Sequence, residues 1–368
     1  MKATAESRES TDSNSVFAEC AKCNSFACRL GRADVCPDDC PMRGDFPDHH
    51  DLYRRDSDRQ VAYHSAVVEG MGYGRWTRLR EVAEYARLMG YSRIGIGCCP
   101  DMWREATLTA VYLKDQLLEP HLPLERLECD PLGQANLFAR SATQLNVIAG
   151  MCVGHEAMFV QGSHAPVTCL VARDEKLRHN PAAALYTADS YSHSSLYLGL
   201  DRLERPGFEG WDPEKLATVS DELLPEEHDT WCRVQEVMEY AHRLGADHLG
   251  VSFCVGFRDE ARVLTRILEA NGFRVSSVCC KTGAVPKEEM GIESRYHVRP
   301  GQPEMICNPL AQAELLNQKG VKFALSLGQC VGHDSATLSR LECPAVCLVA
   351  KDRVLAHNTV AALYRLED

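Results

Sequence analysis

Short apolar runs alternate with amphipathic stretches over most of this chain. Leu79, Val82, Ala83 and Ala86 recur at i, i+3, i+4 and i+7, which is the spacing of one helix face. The same reading predicts strands at 93–97, 124–128, 145–149, 167–172, 248–253 and 273–278, and further helices at 103–118, 130–142 and 258–270. Strands that alternate with helices through short connections form parallel sheets flanked by helices. The pattern therefore predicts an α/β fold.

The second half of the chain repeats the sequence of the first half. Cys129-Asp-Pro-Leu-Gly-Gln-Ala recurs 178 positions later as Cys307-Asn-Pro-Leu-Ala-Gln-Ala, and Gly-Met-Cys-Val-Gly-His recurs at the same offset as Gly-Gln-Cys-Val-Gly-His. Further upstream, Trp76 recurs as Trp231 at an offset of 155, so the second copy carries 23 additional residues between these segments. Constant offsets over long segments indicate an internal duplication.

These boundaries divide the chain into five segments. We predict a disordered tail at 1–16, a cysteine-rich module at 17–47, repeat 1 at 76–186, a connector with one short helix at 187–229, and repeat 2 at 230–368. Each repeat is expected to be a Rossmann-like or flavodoxin-like parallel-sheet domain. Two domains of matched fold could pack as an intramolecular pseudo-dimer.

Composition and charge narrow the class of protein. The chain has 368 residues, 45% of them hydrophobic and 25% charged, which is ordinary for a globular protein. Its net charge of −12, without a basic run, excludes nucleic acid and anionic lipid as main partners. No apolar run reaches the roughly 20 residues of a membrane span, and the first residues lack the apolar core of a signal peptide. We therefore expect a cytoplasmic protein.

Eighteen cysteines are too many for an ordinary cytoplasmic protein. Disulfides are rare in a reducing compartment, so this number indicates metal ligation or redox chemistry. Cys169 and Cys347 lie inside apolar strands and are expected to be small buried hydrophobic residues. Cys232 and Cys343 have no partner in the pattern and are expected to be incidental.

Five cysteines lie close together in the N-terminal module, and they begin with a CxxC motif. Such a motif allows two thiolates to reach one metal from a single turn. Zinc and an iron–sulfur cluster both accept four thiolates, so the spacing leaves the metal open. The predicted ligands are Cys20, Cys23, Cys28, Cys36 and Cys40.

A second set of cysteines follows the predicted strands. The carboxyl ends of parallel strands meet at one edge of a sheet, where ligands bind and helix N-termini favour thiolates. Three thiolates per repeat leave one metal position open for a substrate or another ligand. The predicted cofactor ligands are Cys99, Cys129 and Cys152 in repeat 1, and Cys254, Cys307 and Cys330 in repeat 2, joined there by Cys279 and Cys280.

Four histidines accompany these cysteines. His155 and His333 follow Cys152 and Cys330 by three positions, and we interpret them first as residues at a helix start bonded to backbone. Metal ligation or proton donation is the alternative, and Cys330 with His333 are the candidate catalytic pair of a thiol enzyme. His179 and His357 precede Asn in loops and are expected to be structural.

The chain resembles a cysteine-rich family of unknown function described as metal-binding and common in anaerobic bacteria and archaea. The matching motifs are Cys20-x-x-Cys23-x4-Cys28, Val278-Cys-Cys-Lys, Cys307-Asn-Pro and Gly328-x-Cys-Val-Gly-His-Asp. They cover the N-terminal module and repeat 2, with repeat 1 as a degenerate copy. The resemblance implies metal binding and no particular activity. In architecture alone, the chain is similar to 2-hydroxyacyl-CoA dehydratase subunits, which hold a cluster with three cysteines.

Three functions remain open from the sequence. The first is an iron–sulfur redox protein or lyase, most simply with a 4Fe-4S cluster, that acts with an electron-transfer partner or a small-molecule substrate. The second is zinc binding, or metal storage or sensing, without catalysis. The third is a thiol enzyme.

Overall fold

Two parallel four-stranded sheets form the centre of the protein in a computed structural model. The structure describes residues 18–38, 40–43, 49–123, 129–190, 193–197, 212–227 and 230–366. The first sheet has the order β2-β1-β3-β4 and the second has the order β6-β5-β7-β8. The strands are β1 (Arg93–Gly97), β2 (Glu119–His121), β3 (Leu145–Ala149), β4 (Val167–Val171), β5 (His248–Phe253), β6 (Arg274–Cys279), β7 (Phe323–Leu327) and β8 (Ala345–Val349). The predicted α/β class is confirmed.

Helices surround both sheets. They are α1 (His49–Leu52), α2 (Asp56–Gly72), α3 (Arg78–Leu88), α4 (Trp103–Asp115), α5 (Pro131–Arg140), α6 (Val153–Gly162), α7 (Ala182–Tyr186), α8 (His193–Tyr197), α9 (Pro213–Glu227), α10 (Arg233–Arg243), α11 (Arg258–Ala270), α12 (Pro309–Gln318), α13 (Val331–Leu338) and α14 (Ala361–Tyr364). The central strands β1, β3, β5 and β7 are almost wholly buried, as in sheets covered on both faces. No helix in the described part of the chain is long and apolar enough to cross a membrane.

The two repeats exchange helices. Helices α2 and α3 precede the first sheet in sequence, but they pack against α13 of the second. Helices α9 and α10 precede the second sheet and pack against α6 of the first. The hydrophobic core around β1 and β3 accordingly includes Leu316 and Val331 from repeat 2. This exchange makes the interface between the repeats part of both cores.

The N-terminal module lies along the outer strand of the second sheet. It consists of short 3-10 turns, among them Cys20–Lys22 and Ala27–Leu30. The backbone amide of Ser277 donates to the carbonyl of Ala18 at 2.5 Å, and the amide of Ala21 donates to the Ser277 hydroxyl at 2.9 Å. The module is thus attached to β6, beside Cys279.

Three local predictions need comment. The outer strand of the first sheet is Glu119–His121, not 124–128, and residues 124–128 lie outside the described residues, as does the tail at 1–16. The predicted connector contains the short helix His193–Tyr197 and, in addition, the 15-residue helix Pro213–Glu227. Ser220 of that helix stands 155 positions after Ser65 of α2, the offset that relates the two copies. The domain boundaries themselves stay a prediction.

Candidate metal centres

Four cysteines of repeat 2 meet at the carboxyl edge of the second sheet. Cys254 follows β5 directly, and its sulfur accepts a hydrogen bond from the Gly256 amide at 3.4 Å. Cys280 follows β6, and its sulfur accepts the Val255 amide at 3.3 Å. Cys307 precedes Asn308, whose side chain caps α12, and Cys330 occupies the N-cap position of α13. We call Cys254, Cys280, Cys307 and Cys330 the repeat-2 centre.

Close side-chain contacts connect these four cysteines and one histidine. Cys280 lies against both Cys254 and Cys307, while His333 lies against both Cys307 and Cys330. The contact with Cys280 lowers the pKa of Cys254 to about 5, with a further lowering by Lys351 that burial opposes. Burial lowers the pKa of His333, but the charge of Cys307 and the two thiol contacts raise it to about 10. The side chain of His333 thus lies beside the sulfurs, and its expected bond to backbone stays a prediction.

Buried charged groups surround the repeat-2 centre. The Nζ atom of Lys351 lies 2.8 Å from the sulfur of Cys254 and 3.4 Å from that of Cys330. Arg353 donates to Glu69 at 2.8 Å and to Cys330 at 3.5 Å. Lys281 donates to the carbonyl of Met305 at 2.6 Å. These cations favour thiolates over thiols at the centre.

Sequence reasoning missed all four charged residues of this shell. Lys351 and Arg353 directly follow β8, so the strand-end argument that selected the cysteines could also have selected them. Lys281 could have been found as the neighbour of Cys280. Glu69 comes from α2, more than 170 positions before β5, and gave no signal in the sequence.

The N-terminal module gathers its five cysteines around a small cavity of about 30 Å³ that also reaches repeat 2. Cys279 and Thr282 belong to the cavity wall, and Cys28 hydrogen-bonds to Cys279. Cys36 bonds to Cys40, and Cys20 lies 4.0 Å from the Thr282 hydroxyl. The cysteines of the wall are Cys20, Cys23, Cys28, Cys36, Cys40 and Cys279. Cys279 therefore contacts both the module and its neighbour Cys280, which belongs to the repeat-2 centre.

Repeat 1 forms a more compact group. The ligand atoms of Cys99, Cys152 and His155 all lie within 4.8 Å of one another, and all three residues are buried. Cys129 hydrogen-bonds to Cys99, and this contact, with the one from Cys152, holds the pKa of Cys99 well below its usual range. His155 thus faces sulfur as His333 does. Arg173 stands 178 positions before Lys351 and lies beside these thiols in the same way.

The donor sets can be tested against the metals they would hold. Two thiolates on one zinc ion lie at most about 4.6 Å apart, because each Zn–S bond is about 2.3 Å. The ligand atoms of Cys99, Cys152 and His155 lie within 4.8 Å of one another, and they are the one group of three this compact among the described residues. In the described part of the chain the repeat-2 centre forms no such group, although Cys280 lies against both Cys254 and Cys307. Its four buried sulfurs are the number of donors that zinc and an iron–sulfur cluster both accept.

The remaining cysteines and histidines lie outside these groups. Cys169 and Cys347 are buried in β4 and β8 and hydrogen-bond to each other between the repeats. Cys232 and Cys343 are buried singly. The Nδ1 atoms of His179 and His357 accept the backbone amides of Asp174 and Asp352, which confirms their structural role.

Comparison with known proteins gives a family but no activity. A family model described as "Protein of unknown function (DUF1847)" matches residues 42–122, 123–170 and 207–348. The uncharacterized protein MJ0455 of Methanocaldococcus jannaschii is 34% identical over 150 residues, which are 41% of this chain and 76% of that protein.

Solved structures give only a distant likeness. Two crystal structures of Dph2 from Pyrococcus horikoshii, one with a 4Fe-4S cluster, each cover 79% of this chain and 91% of their own at 12% identity, with TM-scores of 0.23 and 0.22. Scores this low carry no functional information. The family model, in contrast, spans both repeats, and the chain belongs to the DUF1847 family.

Proposed function

We propose that this protein is an iron–sulfur redox protein whose principal cluster is held by Cys254, Cys280, Cys307 and Cys330. The convergence of these four buried cysteines, distant in sequence, at one sheet edge is the observation that carries the proposal. Lys351 and Lys281 offset the negative charge of the thiolates there. Such a cluster would supply one-electron chemistry when bound.

The arrangement of the sulfurs speaks against a single zinc ion. No three of the donor atoms of the repeat-2 centre and His333 lie within 4.8 Å of one another, judged among the described residues. One zinc ion would need all of its thiolates within about 4.6 Å of each other. A 4Fe-4S cluster binds each thiolate at a different iron and therefore does not need three thiolates this close together.

The N-terminal module supports a second centre at a short distance. Cys279 extends the donor set of the module, and Cys280 belongs to the repeat-2 centre. The α-carbons of neighbouring residues are about 3.8 Å apart. Two centres joined through one peptide unit are well placed to exchange electrons, so we assign the module the role of electron relay.

A zinc site is the second candidate, and it applies to repeat 1. The compact arrangement of Cys99, Cys152 and His155 suits a single ion with mixed sulfur and nitrogen ligands. Cys129, which bonds to Cys99, would complete the set.

A thiol enzyme built on Cys330 and His333 is the remaining alternative. A lone nucleophile would leave the other buried cysteines of the repeat-2 centre without a role, so this alternative explains less of the site.

Metal analysis of protein purified without oxygen tests the proposal. We expect iron and acid-labile sulfide, broad visible absorption, and an EPR signal after reduction. Cys307→Ala should remove the share of iron and sulfide bound at the repeat-2 centre, whereas Cys343→Ala, a buried thiol outside all three groups, should leave both unchanged. A colourless protein that contains only zinc would rule out the cluster.

A further inference from the structure

A cavity of about 470 Å³ opens next to the repeat-2 centre. Cys254 and Lys351 form part of its wall, so a molecule inside it would lie against the sulfur and ammonium groups described above. Cavities of about 300–1,000 Å³ are typical of small-molecule sites. The space is therefore large enough for a substrate and adjoins the proposed cluster.

The charge of this cavity is opposite to that of the whole chain. The chain carries a net charge of −12, yet cations outnumber carboxylates in the cavity wall. Three of the cations lie deep and three lie at the exposed rim. The cations are Lys281, Lys351, Arg353, Arg29, Arg258 and Arg299, and the carboxylates are Glu69 and Glu304.

Both carboxylates already have cationic partners. Glu69 bonds to Arg353 at 2.8 Å, and Glu304 bonds at 2.5 Å to Lys287, which lies outside the cavity wall. The deep lysines stand next to the thiolates and offset them. At the rim Arg258 pairs with Asp259 at 3.6 Å, so Arg29 and Arg299 leave the excess of positive charge, and such a surface attracts and retains anions.

Comparison with repeat 1 shows that the positive charge is specific to repeat 2. Gly256 and Arg353 occupy the positions of Asp101 and Glu175 in repeat 1. There both acids contact Arg173, with Asp101 at 3.7 Å and Glu175 in a close ion pair, so that its charge is neutralised. A Cβ atom at Gly256 would meet only the sulfur of Cys254, at 3.8 Å, so the cavity is open at this point.

The longer segment of repeat 2 builds a large part of the cavity. Residues 279–306 stand where repeat 1 has only 124–128, and seven of them, among them Lys281 and Arg299, belong to the cavity wall. Gly256, Arg353 and the longer segment are therefore three separate differences between the repeats. Together they open a cavity in repeat 2 and make its wall positively charged. A purely structural insertion would not need to coincide with the replacement of both acids.

We propose that this cavity binds a small-molecule substrate that carries a phosphate or carboxylate group. Arg29 and Arg299 attract the anion at the rim, and Lys281 with Lys351 hold its charged group toward Cys254. The inference rests on the proposed function for what the bound molecule meets, because Cys254 of the repeat-2 centre belongs to the cavity wall. Anion binding itself can be measured independently of the metal.

Calorimetric titration of the anaerobically purified full chain with pyrophosphate and with citrate tests the proposal. At least one of these two probes should bind in a saturable manner, and the tighter one identifies the phosphate or carboxylate class. Because salt screens the attraction, affinity should fall as sodium chloride is raised.

Two pairs of variants separate charge from shape. Gly256→Asp should weaken binding roughly tenfold or more, because it places a carboxylate beside the anion, whereas the isosteric Gly256→Asn should weaken it much less. Arg299→Glu should weaken binding, while Arg295→Glu, which alters an exposed residue of the same segment outside the cavity wall, should not.

The outcomes distinguish this inference from the proposed function. If neither probe binds, or if the Asp and Asn variants bind equally, the anion site is wrong even where iron and sulfide are present. If a probe binds with the predicted variant pattern in protein that lacks iron, the anion site stands and the cluster is wrong.

Discussion

Cys279 and Cys280 are neighbours in the chain, and their thiols also lie against each other. Cys279 is the last residue of β6, and its thiol also lies against Cys28 of the module. Cys280 lies against Cys254 and Cys307 as well. The two residues therefore join the module to the repeat-2 centre.

Substitution of these two cysteines should affect different metal pools. A serine oxygen is a poor ligand for thiophilic metals, so Cys279→Ser should lower the metal bound by the module, and Cys280→Ser should lower that bound by the repeat-2 centre. Metal and sulfide content per chain, with EPR of the reduced protein, measures this. Cys232→Ser is the control. Identical losses in the two variants would contradict separate centres.

His248 gives a pH dependence at the opposite end of the sheet from the sulfur groups. It begins β5 and is buried, with Nε2 2.9 Å from the Ser276 hydroxyl, and its Nδ1 has no partner among the described residues. Burial, aided by the nearby charge of Arg274, lowers its pKa from 6.5 to about 4. The unfolded chain therefore binds a proton at a higher pH than the folded protein does.

Stability should accordingly fall as the pH is lowered from about 6.5 to about 4. At about 1.4 kcal/mol per pKa unit, His248 accounts for up to roughly 3 kcal/mol of this loss. His248→Gln keeps a polar atom near Ser276 but cannot gain a proton, so its free energy of unfolding should change less over this range. Urea denaturation at several pH values measures the difference. Parallel curves for both proteins would refute this role.

A site residue could be predicted from the sequence when it follows a strand. Cys254, Cys280 and Cys330 follow strands closely, and because the ends of parallel strands coincide, the sequence indicated that they would meet. The separate environment of Cys279 was not predictable, because it depends on where the N-terminal module attaches. The contribution of Glu69 depends on the exchanged helix α2, which no local pattern reveals.

At the scale of elements, two glycines allow the exchanged helices to approach closely. A Cβ atom at Gly332 of α13 would lie 1.9 Å from the Ser65 hydroxyl of α2 and 2.5 Å from Tyr85 of α3. At Gly154 of α6 it would lie 1.8 Å from Ser220 of α9 and 2.8 Å from Tyr240 of α10. These contacts are equivalent in the two copies, so close packing at this point is a property of the repeat.

Gly332→Ala should therefore destabilise the protein. Overpacking of this kind costs about 1–3 kcal/mol, because backbone and side chains must shift to admit the methyl group. Gly256→Ala is a suitable control, since its Cβ would meet only a sulfur at 3.8 Å. Chemical denaturation of both variants measures the difference. Equal stability of the two variants would show that the helices are not closely packed.

The bounds of a helix matched the prediction where the apolar periodicity and the capping residues indicated the same ends. Helix α11 was predicted at the residues where it is found, and α5 begins after Asp130, whose side chain accepts the Gly133 amide. The outer strand β2 was misplaced because its three residues, Glu-Pro-His, contain no apolar run. Helix α9 was not predicted at its full length because Ser, Asp, Pro and Glu dominate its surroundings and hide a repeat in which few residues, among them Ser220 and Trp231, match the first copy.

At the scale of the whole molecule, two buried ion pairs join the repeats symmetrically. Arg78 pairs with Asp334 at 3.0 Å, and Arg233, 155 positions after Arg78, pairs with Glu156 at 2.6 Å. Both arginines also donate to backbone carbonyls of both repeats. Arg78 donates to Cys169 and Gln329, and Arg233 donates to Cys347 and Met151, which occupy the equivalent positions of the other copy. The symmetry supports the expectation of a pseudo-dimer within one chain.

Arg233→Met tests whether this interface stabilises the whole fold. It leaves the carboxylate of Glu156 buried without its cation, and breaking such a pair typically costs about 3–5 kcal/mol. The backbone amide of Cys347 also donates to Glu156, at 2.6 Å, so Glu156→Gln in the same chain removes the charge but keeps an acceptor. The double variant should therefore regain part of the lost free energy of unfolding in urea.

Both sheets should unfold in one transition, because each core contains helices from the other repeat. Two separate transitions would show that the repeats unfold independently. A double variant less stable than Arg233→Met alone would contradict the role given to the ion pair.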